Sequence, residues 1–426
     1  MGEEQDVSED PANGAAADPT FPLLHPRPEH GWLNDPNGVC KFDGRWHLFF
    51  QWNPESTRHE RIHWGHISSA DLLTWRVEPV ALVPRPGQPD SAGCWTGCVV
   101  DDAGTPTSVY SAVSDHSGRA DVLLARSDRR LLQWEQTEHP VLPMPDDPRF
   151  TDVRDPYLFE HAGHRWAVIG AGHRDGDPAV LVYRVDELTD WIPAGTLFDH
   201  SDPVAAELSA ANVWECPNLF RLGDRWVLII SLWTAGAGSH PEVSCLVGDL
   251  ELSDDLQLRF RPRSAGRLDD GPAFYAPQAM TDGDRVLLWG WVCEQRDQDQ
   301  LAAAGWAGCL TLPRELALAG DRVSSRPAAE LSAAIGNEIA ADRPITASAF
   351  VARFDRPGSL SLDGVDVIAL DRSGEIWVDG SVVEVYPAGA APYTTRAYPG
   401  AGSAWTVDGP ARVYAMTISA TASSAL

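Results

Sequence analysis

Five glycines, Gly44, Gly104, Gly163, Gly223 and Gly283, follow one another at steps of 60, 59, 60 and 60 residues. Each stands between two short apolar runs, so each marks a β-hairpin turn that recurs at a fixed interval. The paired runs are residues 39–42 with 45–51, 157–160 with 165–170, 219–222 with 225–231, and 278–280 with 285–291. Three of the turns lead directly into Arg-Trp, at Arg45-Trp46, Arg165-Trp166 and Arg225-Trp226. A second motif recurs between them: residues 69–75 are echoed at 127–134 and 186–191. Each repeat therefore supplies about four strands, and such a sheet buries both faces only by stacking on neighbours. Five repeats predict a five-bladed β-propeller. Trp75 and Trp134, at equivalent points, read as packing between blades.

The same period governs the chemistry. Stepping by sixty from Asp35 gives Trp95, Asp155, Glu215 and Tyr275. Each opens a strand-like run. In a propeller the innermost strands line the central channel, so these five positions are expected to converge at one end of it. Taken alone, the stretch Trp32-Leu33-Asn34-Asp35-Pro36-Asn37-Gly38 is a turn with an ordinary surface aspartate. The phase of the repeat is what sets Asp35 apart.

Composition narrows the partners. Lys+Arg of 33 against Asp+Glu of 61 gives a net charge of −28, and Lys41 is the single lysine. That balance argues against nucleic acid or an anionic membrane and leaves a small neutral ligand open. No run is apolar and long enough to span a bilayer. Residues 1–20 are acidic, lack basic side chains and read as a disordered tail rather than a signal peptide. Seven scattered cysteines suggest free, mostly buried thiols and a cytoplasmic location, with a secreted form that has lost its signal as the alternative. Nothing in the composition bears on oligomeric state.

The period ends near Arg326. Residues 327–343 are Ala-rich and read as a linker with a short helical stretch. From 344 to 426 strand patterns return, with an Asp379-Gly380 hairpin signal, and predict a small β-sandwich without chemistry of its own. The propeller is assigned to 21–326.

Three carboxylates around one funnel suggest glycoside chemistry. A retaining glycosidase needs a carboxylate nucleophile and a carboxylic acid about 5–5.5 Å apart. The acid needs a raised pKa, which burial and nearby negative charge supply. A third carboxylate can hold sugar hydroxyls and favour a cationic transition state. His59, His63 and His66 do not form a metal set, because strand alternation divides them between faces. No metal or cofactor is expected.

Several motifs now resemble those of family 32 of the glycoside hydrolases, the group of invertases, inulinases, levanases and fructan transferases. They are residues 32–38, Arg154-Asp155-Pro156 and Trp214-Glu215-Cys216-Pro217. Further matches are residues 49–54, Trp64-Gly65-His66, residues 274–278, 312–316 and 379–386. The resemblance runs from about Leu24 to the end of the chain. It implies a five-bladed propeller with a sandwich behind it and retaining cleavage of β-fructofuranosides such as sucrose or short fructo-oligosaccharides. Carried over, Asp35 is the nucleophile, Asp155 the transition-state stabiliser and Glu215 the acid/base. Asn34, Gln51, His59, Trp64, Trp95, Thr96, Arg154, Tyr275 and Trp291 would bind substrate. The plainer alternatives are that Arg154 pairs with a neighbouring acid and that Trp291 belongs to the core.

The chain departs from the family pattern at four positions. Leu33 replaces Met, Thr96 replaces Ser, His59 stands where Trp is common and Ala273 where Asp is common. The last two bear on the leaving group in the family pattern. The rival readings are a fructosyltransferase, an enzyme acting on inulin or levan, and a carbohydrate-binding propeller without turnover.

Overall fold

The computed structural model describes residues 18–115, 117, 119–234 and 242–417. Of the stretch read as an acidic tail, residues 1–17 lie outside these. Asp18 is described, and its Oδ2 accepts from Trp306 Nε1 at 2.9 Å.

Five antiparallel sheets succeed one another along the chain and form a five-bladed propeller. Their innermost strands are Gly31–Phe42, Gly93–Asp102, Phe150–His161, Val213–Leu222 and Phe274–Asp282. Each pairs with the next strand through a tight hairpin. The turn glycines have positive φ of 78, 89, 82, 60 and 64°, the region that costs glycine least.

Each blade packs on the next through its own apolar cluster. Phe49 and Trp64 of blade I meet Tyr110 and Leu123 of blade II. Trp166 and Val182 of blade III meet Leu228 and Phe260 of blade IV. The ring closes where Trp46 and Phe50 of blade I meet Met280 and Trp289 of blade V. Trp75 packs against this last cluster and Trp134 against the first, as their place in the repeat predicts.

A second device supports the closure. The fifth blade carries an insertion with a seven-residue helix, Gln298–Ala304, begun by an Asp297/Gln300 capping box. It delivers Trp306–Ala307 to pair in parallel with Gly31 and Trp32 on the innermost strand of blade I. Gly308 follows with φ 71°, and a Cβ there would stand 2.0 Å from the Leu33 carbonyl oxygen. Only glycine lets the two backbones approach this closely.

Behind the propeller a six-stranded and a three-stranded sheet form the β-sandwich around Phe350, Ile376, Val383 and Trp405. Within the Ala-rich stretch, Ala329–Ala334 is a 3₁₀ helix, and Ile335–Ile339 is already a strand paired with Ala411–Met416. His25, Arg314, Asp269 and Glu384 make a buried charged network between the propeller and the sandwich. Among the described residues no helix is long and apolar enough to cross a membrane.

Candidate active site

All five innermost strands carry a β-bulge at the same depth. Asn34-Asp35 face the single residue Gln51, and Trp95-Thr96 face Ser111. Asp155-Pro156 face Ile169, Cys216-Pro217 face Ile230, and Ala276-Pro277 face Gly290. A regular strand sends adjacent side chains to opposite faces; a bulge re-aims one of them. This is why Asn34 and Asp35, or Arg154 and Asp155, both reach the channel. Asp155, Cys216 and Ala276 adopt left-handed φ of 68, 47 and 45°, costly for residues with a Cβ.

The bulges open into a funnel of about 360 Å³. Positions 35, 95, 155, 215 and 275 all line it, as the sixty-residue phase predicts. Among the described residues, Asp35, Asp152, Asp155 and Glu215 face a single guanidinium there, that of Arg154.

Asp35 is held by neutral donors. Asn34 Nδ2 donates to Oδ1 at 3.0 Å. Gln51 Nε2 and Thr96 Oγ1 donate to Oδ2 at 3.0 and 2.6 Å. Burial pushes its pKa up to about 6, the Thr96 hydrogen bond opposes this, and the charge of Glu215 adds to it. Asp155 sits deeper. Its backbone N–H donates to Ser111 Oγ at 2.8 Å, and its Oδ2 accepts from the Cys216 N–H at 3.0 Å. Burial raises its pKa; Arg154 draws it down, while Glu215 and Asp35 drive it further up. Glu215 is held differently from both. Arg154 Nε and Nη2 donate to its Oε1 at 3.0 and 2.7 Å, and Tyr275 OH donates to Oε2 at 2.8 Å. Arg154 also pairs with Asp152.

The remaining expected residues divide. Asn34, Gln51, His59, Trp95, Arg154, Tyr275 and Trp291 line the funnel. Thr96 lies behind Asp35 and reaches it by its hydroxyl alone. Trp64 does not line the funnel: it is fully buried between blades I and II, where its Nε1 donates to the Trp95 carbonyl at 3.0 Å. It lies on the third strand of its blade, so the first two strands stand between it and the channel. Ala273, expected near the leaving group, is also fully buried, packed among Val292, Cys309 and Val382. His59 faces the funnel, and its Nε2 lies 3.1 Å from Gln51 Oε1.

Trp32, Ser117, Asp152 and Trp233 line the funnel without having been named as substrate-binding residues from the sequence. Trp32 and Asp152 stand two residues from Asn34 and Arg154 on the same strands, so alternation was the signal for them. Trp233 was visible only through pairing: it faces Val213, two residues before Glu215. It is 37% exposed, with its ring over the Arg154 guanidinium.

This arrangement suits displacement at an acetal carbon: one carboxylate fixed by neutral donors, one engaged by Arg and Tyr, and one set deep between them. The comparisons with known proteins point the same way. The chain is 34% identical over 345 residues to the sucrose-6-phosphate hydrolase of Salmonella typhimurium, spanning 76% of this chain and 70% of that one. It is 33% identical to the raffinose invertase of Escherichia coli, over 73% of this chain and 65% of that one. The chain thus aligns with about two thirds of the length of these relatives. Among solved structures, a sucrose-6-phosphate hydrolase of Lactobacillus gasseri superposes with a TM-score of 0.81 at 22% identity, covering 95% of this chain and 94% of that one. A family 32 β-fructofuranosidase of Bombyx mori gives 0.79 at 23% identity, over 95% and 96%. Residues 25–327 match the family model described as the glycosyl hydrolases family 32 N-terminal domain. With the propeller, the funnel and these matches together, the chain belongs to glycoside hydrolase family 32.

Proposed function

We propose that the chain is a retaining β-fructofuranosidase acting on sucrose or short fructo-oligosaccharides. The observation that carries this reading is the convergence of Asp35, Asp155 and Glu215 in one funnel, each in a different hydrogen-bonding environment. Asp35 attacks the anomeric carbon of the fructosyl unit and forms an ester. Glu215 gives its proton to the departing glycosidic oxygen. Water, deprotonated by Glu215, then attacks the same carbon, releases fructose and restores both carboxyl groups. Asp155 holds fructosyl hydroxyls as positive charge develops on the ring. Arg154 and Tyr275 fix the Glu215 carboxyl group, and Trp32, Trp95 and Trp291 supply apolar walls for the sugar.

The relatives' names support a small sucrose-like substrate, and seven unpaired, buried cysteines suit a reducing compartment. The test is product analysis on sucrose, sucrose 6-phosphate, raffinose, kestose, inulin and levan. Free fructose from the di- and trisaccharides, released faster than from either polymer, is the expected result. Longer fructosyl products would mark a transferase. No turnover of any fructoside would leave a binding protein.

A further inference from the structure

Both oxygens of the Asp35 carboxylate meet a primary amide: Asn34 Nδ2 at Oδ1 and Gln51 Nε2 at Oδ2, each at 3.0 Å. A primary amide presents a donor on one side and an acceptor on the other, and its last torsion is soft. Turned over, either would set a carbonyl oxygen against the carboxylate. Each amide oxygen is occupied by a ring nitrogen. Trp32 Nε1 donates to Asn34 Oδ1 at 2.9 Å, and His59 Nε2 lies 3.1 Å from Gln51 Oε1. The indole N–H only donates, so the Asn34 amide is fixed. A carbonyl oxygen only accepts, so His59 Nε2 carries the hydrogen of its bond. Two chains of the form ring, amide, carboxylate therefore end on the two oxygens of one aspartate.

The two chains support each other. The His59 ring makes edge contacts with Trp32 and Trp95, with centroids 6.3 and 5.5 Å apart. Gln51 is the single residue opposite the Asn34-Asp35 bulge, so the bulge that turns Asp35 into the funnel also turns it toward this amide. Gln51 Nε2 further donates to Thr96 Oγ1 at 2.7 Å, and Thr96 passes its own hydrogen to Asp35. One orientation of the Gln51 amide serves Asp35, Thr96 and His59 together; the other sets its carbonyl oxygen against the carboxylate, which can only accept.

We infer that His59 and Trp32 are positioning residues for Asp35, each locking an amide so that both carboxylate oxygens meet N–H donors and the attacking oxygen keeps one direction. The inference rests on reading Asp35 as the nucleophile. It assigns His59 to the step that forms and breaks the fructosyl ester, which every substrate shares, rather than to the choice of leaving group. The hydrogen-bonded path from His59 to Asp35 runs through Gln51.

The experiment measures kcat and KM for wild type, His59→Phe, Trp32→Phe and His59→Gln on sucrose, kestose and an aryl β-fructofuranoside. His59→Phe keeps a ring of similar shape without the N–H. It should lower kcat roughly tenfold on all three substrates while KM moves less than about twofold, with Trp32→Phe showing the same signature. His59→Gln restores an N–H donor and should recover most of the loss. In a Gln51→Ala background, His59→Phe should cost nothing further. A loss that differs with the leaving group, a change in KM alone, failure of His59→Gln to recover activity, or a further loss without Gln51 would each overturn the positioning role. A wild type inactive on all fructosides would instead overturn the fructosidase reading, and this inference with it.

Discussion

The backbone N–H of Cys216 donates to Asp155 Oδ2 at 3.0 Å, and the thiol of the same cysteine lies 3.5 Å from that oxygen. The thiol also stands 3.7 Å from Asp35 Oδ2. The residue after Glu215 thus touches both other carboxylates, and its left-handed backbone is what brings it there. Burial and the surrounding negative charge raise the thiol pKa well above its usual value, so it meets them as a neutral S–H.

Asp155→Asn tests the stabilising role with little change of shape. The Cys216 N–H can still donate to the amide oxygen, so the side chain should stay in place. We expect kcat to fall by roughly 10²-fold or more with a much smaller change in KM. An unchanged kcat with a raised KM would make Asp155 a binding group only.

Asp35→Ala and Glu215→Ala should separate the two chemical steps. Without Asp35 no ester forms, and turnover should vanish on every fructoside. Without Glu215 a substrate whose leaving group needs no proton should still fructosylate the enzyme. A burst of aryl leaving group from Glu215→Ala, absent with sucrose, is the measurement; equal loss on both substrates would contradict the acid role.

Asp35 acts as a carboxylate, and its pKa is pushed up to about 6, so kcat/KM should drop about tenfold per pH unit below about pH 6. The same shift has a stability sign. A carboxyl raised from 3.8 to about 6 favours the fold at low pH and loses that contribution as pH rises through 6. Asp35→Asn should therefore be more stable than wild type near neutral pH, by about 1 kcal/mol, less than the whole shift because the funnel admits water. Urea unfolding across the acid range should show this advantage shrinking as pH falls from 6 toward 3.8.

His25 has the same stability sign for a different reason, because here the charged form is the one favoured. Its Nδ1 lies 2.8 Å from Asp379 Oδ2 and its Nε2 2.9 Å from Glu384 Oε1, with all three side chains fully buried. Both ring nitrogens face carboxylates, so both carry hydrogen. Burial alone would lower its pKa, but the two hydrogen bonds and the two charges raise it. The stabilisation is fully present below 6.5 and is lost as pH rises through the higher folded value. His25→Ala should cost about 3 kcal/mol, since it removes the cation between two buried carboxylates, leaving Glu384 to Arg314 and Asp379 to its backbone donors. Urea unfolding at about pH 6 and about pH 9 should show the gap to wild type narrowing on the alkaline side. A gap that does not change with pH would mean that His25 contributes packing alone.

Much of this was legible in the residues. Turn glycines at a fixed interval are local chemistry, because a two-residue hairpin turn needs positive φ wherever the fold puts it. The phase of Asp35, Trp95, Asp155, Glu215 and Tyr275 carried the convergence, because equivalent positions of stacked repeats share a radius. Trp64 and Ala273 were assigned by motif, and motifs do not record depth. Trp64 sits on the third strand of its blade, two strands out from the channel, and Ala273 precedes its bulge on the buried side.

The sequence by itself determined the number of blades, the strand that faces the channel and the three carboxylates that line it. Each depends on spacing and residue type, which a period in the chain preserves. Only the tertiary structure decided which neighbours those carboxylates have. The two-against-one pairing of each bulge, the His59–Gln51–Asp35 chain, Trp233 over Arg154 and the thiol of Cys216 between two aspartates arise where different strands meet. Such contacts depend on strand register, and a slip of one residue would move every one of them to another face.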